Sequence, residues 1–199
     1  MPAPPLPELL LPDPATWREW LIANHAASPG VWLVLGKKGG NVTTVAYESA
    51  VLEALCVGWI DGQAKSRDAA TSLQRYTPRR PRSRWSAKNV ERVARLEAEG
   101  KMLPAGRAAV EEAKADGRWE AAYAGPASAV VPEDLTAAIA ANPDAQAMFE
   151  VLTSQNRFAL IYRIENVKRA ETRERKITEF VAMLARHETL HPQKRMPTD

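Results

Sequence analysis

The sequence predicts an α+β chain, a small antiparallel sheet packed on helices and followed by an all-helical unit. Three observations carry this reading. Stretches of strand character fall only before Pro78, at residues 31–36, 57–66 and 71–77. After Pro132 every signal is helical. The segment from Asp68 that joins the second strand to the third is too short for a βαβ crossover, which argues against a doubly wound parallel sheet. The expected organisation is a Pro-rich, extended and disordered leader at 1–12 and an α+β domain at 13–123. A small-residue linker at 124–131, a helical domain at 132–191 and a tail at 192–199 complete the chain.

Taken in order, Asp13-Pro14 reads as an N-cap with proline at the first helical position, where a missing N–H costs nothing. Trp17, Trp20, Leu21 and Asn24 then recur at helical spacing, so both tryptophans are expected to face the core. Ser28-Pro29-Gly30 turns the chain into the unbroken apolar run at 31–35, a buried strand. Gly36-Lys37-Lys38-Gly39-Gly40 matches neither GxxxxGK[ST] nor GxGxxG and is read as a loop with two lysines. A helix at 46–56 follows, with Val51, Leu52 and Leu55 on one face. Its Cys56 reads as a small buried hydrophobe, since no histidine lies near in sequence to activate it.

From Val57 the period becomes two. Strict alternation sends Trp59, Asp61, Gln63 and Lys65 to one face, and pairing with Gln74 and Tyr76 would build a small polar platform there. Asp61-Gly62 is also a favoured hairpin turn, which would shorten the strand. Ser86 is the expected N-cap of a helix running to Gly100 with Val90, Val93, Ala94 and Leu96 as its apolar positions. Pro104 opens another helix, closed by Gly117. Beyond the linker, Pro132-Glu133-Asp134 and Asn142-Pro143-Asp144 start two helices. The last, at 170–186, carries an Ile177, Phe180, Val181, Leu184 stripe and a Glu171–Arg175 pair at i,i+4 spacing.

Bulk properties set limits on function. The 199 residues are 45% hydrophobic, enough for a sizeable core. A lone cysteine and three scattered histidines supply neither a disulfide nor a metal constellation, and no cofactor motif is present. No apolar run approaches the roughly 18 residues needed to span a bilayer, and the N-terminus lacks the pattern of a signal peptide. A cytoplasmic location is expected.

Charge is the unusual feature. Between Lys65 and Lys88 there are eight basic residues and one acid, Asp68. The whole chain holds 27 basic and 24 acidic residues, so the remainder carries 19 against 23. Net positive charge is therefore local, and such a cluster repels itself unless an anion or an acidic surface lies against it. Pro78 and Pro81 stiffen the run, and Trp85 places an aromatic face among the arginines. The expected ligand-binding set is Trp59, Asp61, Lys65, Arg75, Tyr76, Arg79, Arg80, Arg82, Arg84 and Trp85, converging on one concave surface. The bland alternative is a solvated loop whose arginines pair with glutamates elsewhere.

The runs EALCVGWIDGQ and LQRYTPRRPRSRWSAKNVERV resemble the signature of the YdeI/OmpD-associated family of bacterial proteins. The run NRFALIYRIENVKRAETRERKITEFVAMLARHETLHP resembles that family's helical C-terminal, bacteriocin-protection (OmdA) domain. The resemblance implies an association with protection against antimicrobial peptides or bacteriocins. It supplies no catalytic residue, cofactor or substrate.

Three readings follow, in this order: a non-enzymatic module holding a small anionic or phosphate-bearing ligand, a stress or interaction protein with a protein partner, and an enzyme using Asp61 with Lys65 or Tyr76. Sequence-specific nucleic-acid binding is disfavoured by the modest total charge.

Overall fold

The computed structural model describes residues 5–125 and 129–197. Residues 1–4 of the leader, 126–128 of the linker and 198–199 of the tail lie outside the described residues. The chain divides into two compact units, 1–122 and 123–199. It is α+β, 47% helical and 14% strand, with every strand in the first unit.

The first unit holds a four-stranded sheet of order β1-β2-β4-β3. Its strands are β1 (Glu8–Leu9), β2 (Val31–Gly36), β3 (Trp59–Ser66) and β4 (Thr71–Pro78). The last three are antiparallel neighbours, as expected. The leader corrects the reading of a disordered arm. Glu8 and Leu9 pair in parallel with Trp32 and Leu33, and the Trp32 N–H donates to the Pro7 carbonyl at 2.9 Å. Proline richness suppresses helix but tolerates an edge strand, where one side needs no ladder donor.

Helices α1 (Pro14–Asn24), α2 (Tyr47–Cys56), α3 (Ala87–Ala98) and α4 (Pro104–Ala115) supply the packing. Asp13 caps α1 through a 2.8 Å bond from the Thr16 N–H, and Ser86 caps α3 in the same way. One core cluster joins Val31, Leu33, Leu35, Trp59 and Tyr76 of the sheet to Trp17, Leu21, Val51, Leu55, Val93, Leu96 and Val110 of the four helices. Trp17 is fully buried at its centre, with ring centroids 5.4 Å from Trp20, 5.6 Å from Tyr76 and 6.4 Å from Trp59. Its indole N–H donates to the Ala50 carbonyl at 3.1 Å. Trp20 is half-buried against the same cluster. Cys56 is buried among these residues, and burial pushes its thiol pKa up, as befits a packing residue.

The hairpin turns at 67–70, not at Asp61-Gly62. Asp68 closes it by accepting from the Ala70 and Thr71 N–H groups at 2.8 and 2.7 Å. Asp61 opposes Tyr76 and Ala64 opposes Gln74, so one extra residue is inserted between them. That bulge reverses the alternation that the sequence suggests. Lys65 now opposes Leu73 and lies on the face opposite to Asp61 and Tyr76, and the polar platform does not form.

The second unit contains α5 (Glu133–Ala140), α6 (Pro143–Val151), α7 (Ser154–Glu165) and α8 (Ala170–Ala185). Leu135, Ile139, Met148, Leu160, Ile164, Phe180 and Leu184 form its core. Arg173 of α8 grips Asp134 of α5 through two bonds of 2.6 and 2.9 Å. Buried Asn156 anchors the chain end, donating to the His191 carbonyl and to Gln193 Oε1 and accepting from the His191 N–H. Arg175 pairs forward with Glu179 at 2.6 Å, where the spacing had suggested Glu171.

Gly106 lies inside α4, where a Cβ would meet the Cys56 carbonyl and the Leu55 carbonyl behind it. Gly106→Ala raises helix propensity by about 1 kcal/mol. Because the obstacle is backbone, we expect the substitution nevertheless to destabilise the first unit by about 2 kcal/mol or more, read by denaturant unfolding. A gain in stability would show that α4 does not approach α2 this closely.

Candidate functional site

At the end of the hairpin away from its turn, where Trp59 opposes Pro78, lies a cavity of about 340 Å³. Gly58, Trp59, Pro78, Arg79 and Arg80 line it from the sheet side, and Ala105, Ala108, Ala109 and Glu112 of α4 form the facing wall. His25, which ends α1, and Arg118, beyond α4, complete the lining. The close approach of α4 depends on Gly58, whose φ of +75° is left-handed and whose Cβ, if present, would sit 3.0 Å from the Ala105 carbonyl oxygen. Trp59, buried, donates its indole N–H to the His25 carbonyl at 3.2 Å, and His25 Nδ1 lies 2.9 Å from the Leu21 carbonyl. A carbonyl can only accept, so Nδ1 is the donor in that contact.

The arginine run is ordered by contacts that sequence alone did not reveal. Arg79 stacks on the buried Trp85 ring at 3.4 Å and donates to the Arg84 carbonyl at 3.2 Å. Residues 80–83 form a turn, closed by Ser83 N–H to the Arg80 carbonyl at 2.9 Å, with Pro81 second and Arg82 third. Arg82 takes a φ of +71°, as the third residue of a type II turn must. Its side chain is exposed at the tip. Arg118 then clamps this turn to α4, donating to the Ser83 carbonyl at 3.0 Å, to Asp116 at 2.7 and 2.8 Å and to Glu112 at 3.2 Å. Arg80 is exposed, and its guanidinium makes no hydrogen bond or ion pair among the described residues. The cavity thus gathers three arginines against one carboxylate, Glu112, that faces it.

The other expected residues are distributed elsewhere. Arg75 opposes Trp32 on the outer face of the sheet, and Lys65 reaches over the Trp32 ring at 4.4 Å. Lys65 pairs with Leu73, five residues along β4 from Pro78, which is about 17 Å at strand rise. It cannot share a small ligand with Arg79. Lys37, the loop lysine, is tied to the turn end of the hairpin by a 2.5 Å bond to the Asp68 carbonyl.

Asp61 and Tyr76 share the inner face with residues that the sequence did not single out. The Tyr47 hydroxyl donates to Asp61 at 2.9 Å. Arg92, 6% exposed, makes a two-pronged pair with Glu48 and donates to Asn89 Oδ1 at 2.8 Å. Withdrawal from water, with the Asp61 carboxylate nearby, pushes Tyr47 up to about 12, and burial with the same neighbour raises Tyr76 further. Both phenols therefore stay protonated at neutral pH, and Tyr47 is the one that donates, to Asp61. The Tyr76 hydroxyl is buried and finds no hydrogen-bond partner among the described residues; the same holds for Arg75 Nε and Trp85 Nε1. No group of three metal-ligating side chains comes together among the described residues, and no helix there is long and apolar enough to cross a membrane.

Arg92 was hidden because it sits on the buried face of α3 that apolar spacing assigned to Val93 and Leu96, while Ala94 is exposed. Arg118 follows a helix stop and carries no motif. A lone Asp-Gly-Arg-Trp after α4 is the only local hint.

Comparison with known proteins gives two family matches. The model described as Domain of unknown function (DUF8412) matches residues 9–109, and the model described as Bacteriocin-protection, YdeI or OmpD-Associated matches residues 128–187. No curated protein and no solved structure matches the chain.

Tyr76→Phe removes a buried hydroxyl without a partner, so we expect a stability change within about 1 kcal/mol at pH 7. Raised phenol pKa values stabilise the fold fully below the ordinary tyrosine value of about 10, and that contribution is lost as pH rises above it, because the unfolded chain ionises first. Tyr76→Phe should accordingly flatten the loss of stability above pH 10 in thermal melts. An unchanged alkaline profile would contradict this assignment.

Proposed function

Because the chain belongs, over residues 9–109, to the family of the domain of unknown function DUF8412 and carries a YdeI/OmpD-associated match at 128–187, we propose that its first unit is a non-enzymatic module that binds a small anion in the cavity at Arg79, Arg80 and Arg118. The observation that carries this reading is the convergence of three arginines on one concave space of about 340 Å³, a volume that suits a small-molecule ligand. Arg79 is held rigid on Trp85 and Arg118 by its carboxylates, so less side-chain freedom is lost when an anion arrives. Arg80 supplies an exposed charge that no side chain among the described residues pairs with. A phosphate or carboxylate can accept from the guanidinium forks, while the alanine wall of α4 leaves room for a small apolar substituent.

The match at 128–187 favours a second role for the other unit. Its description joins bacteriocin protection to association with another protein, and we assign the second unit to a protein partner in such protection. The two roles are compatible within one chain.

Inorganic phosphate and adenosine monophosphate, titrated calorimetrically at low salt, test the first role. Arg80→Ala should weaken binding at least tenfold with little change in melting temperature, since the side chain makes no hydrogen bond or ion pair among the described residues. Arg82→Gly, at the turn tip, should leave binding unchanged and stabilise the fold by about 0.5–1 kcal/mol. Absence of saturable binding for either anion would remove the anion reading and leave the partner role first.

A further inference from the structure

The strand β3 is an outer edge of the sheet, and every residue from 62 to 69 is exposed. Edges are blunted by lysine, proline, bulges or a covering element, and the bulge of β3 ends before the pairing resumes at Ala64. Here the lysine that would guard this edge, Lys65, folds back over the sheet face onto Trp32. Its neighbours Gly62, Ala64 and Ser66 are small. The Arg67 N–H bonds the Thr71 carbonyl, so ladder alternation turns the N–H and C=O groups of Ser66 and Ala64 away from β4 and toward solvent. The bulge carbonyls of Gly62 and Gln63 are already taken by Gln74 Nε2, at 2.9 and 3.2 Å. The open stretch is therefore short and offers four backbone groups.

Charge selects the occupant. Lys37, Lys65, Arg67 and Arg75 surround this end of the hairpin, against Glu8 and Asp68, both of which are paired with Arg67. Arg75 makes no ion pair among the described residues, and its buried Nε has no hydrogen-bond partner there. A second copy of the chain adding edge to edge would bring Lys65 and Arg67 against their own kind, which is unfavourable. We propose that the β3 edge at Ala64–Ser66 accepts an extended acidic peptide as an added strand, with backbone bonds to Ala64 and Ser66 and acidic side chains reaching Lys65 and Arg75 across the outer face. Such addition draws affinity from main-chain bonds and specificity from alternate side chains. The edge lies about 20 Å along the hairpin from the arginine cavity and does not depend on it.

The test uses the full chain and two fluorescein-labelled hexapeptides, alternating glutamate with valine or lysine with valine, read by anisotropy at low salt. The glutamate peptide should bind saturably and the lysine peptide should not. Ala64→Pro deletes an outward donor that β4 does not use and should weaken binding at least tenfold, and Lys65→Glu should do the same. In the unaltered chain, the Ala64 and Ser66 amide resonances should shift on titration, which keeps the proposal testable even where Ala64→Pro fails to fold. Lack of saturable binding would overturn it, as would a folded Ala64→Pro chain that binds normally or amide shifts confined elsewhere. A thymidine oligonucleotide that displaces the peptide and binds more tightly would reassign the surface to nucleic acid. Self-association abolished by Ala64→Pro would reassign it to a second copy.

Discussion

The side-chain amide of Gln74, buried within the sheet, donates to the carbonyls of Gly62 and Gln63, and those two bonds hold the bulge on which the arrangement of polar residues depends. An inserted residue breaks the ladder locally and leaves carbonyls without a backbone partner on the neighbouring strand. Gln74 supplies the missing donors from the partner strand. With the bulge in place, Asp61 and Tyr76 point inward to Tyr47 and Arg92, whereas Lys65 points outward to Trp32. Without it, the two sets of residues would lie on one face.

The helices fit around that sheet through aromatic surface. Trp17 touches Trp20, Trp59 and Tyr76 and donates to the Ala50 carbonyl, so one side chain joins α1, α2 and the hairpin. Burying large rings contributes through area, and their tilted and edge-on packing adds about 0.5–1.5 kcal/mol per pair. This core sets the start of β3 against α4 across Gly58, and the cavity is the space left where alanines replace larger side chains. The geometry of the arginine run thus follows from packing behind it, with Arg118 as the strut that ties the turn at 80–83 to the helix.

Much of the fold was legible because it rests on local signals. Asp13-Pro14, Ser86 and Asn142-Pro143 start helices where their capping chemistry says they should, and the strands end where Pro78 forbids a further ladder donor. The candidate site was legible only in part. The arginine run and Trp85 stood out by charge and composition, and Trp59 by its place in the strand. Lys65 was misplaced because a bulge has no signature in alternation, and a one-residue insertion reverses every later side chain, whereas Arg75 was misplaced because its neighbour Tyr76 takes the inner face of β4. His25, Tyr47, Arg92 and Arg118 escaped because their roles come from contacts with distant elements, such as Arg92 with Glu48 of the preceding helix. Glu8 and Leu9 escaped because two residues of parallel pairing leave no periodic trace.

The sidedness of the hairpin is the claim on which the β3-edge proposal rests, and proton–proton nuclear Overhauser spectroscopy measures it directly. Cross-peaks should join the Trp32 ring protons to the Lys65 side-chain methylenes, which should also be shifted upfield by the ring current, while the Tyr76 ring should contact Trp17 and not Lys65. Cross-peaks between Lys65 and the Tyr76 ring, with none to Trp32, would contradict the account.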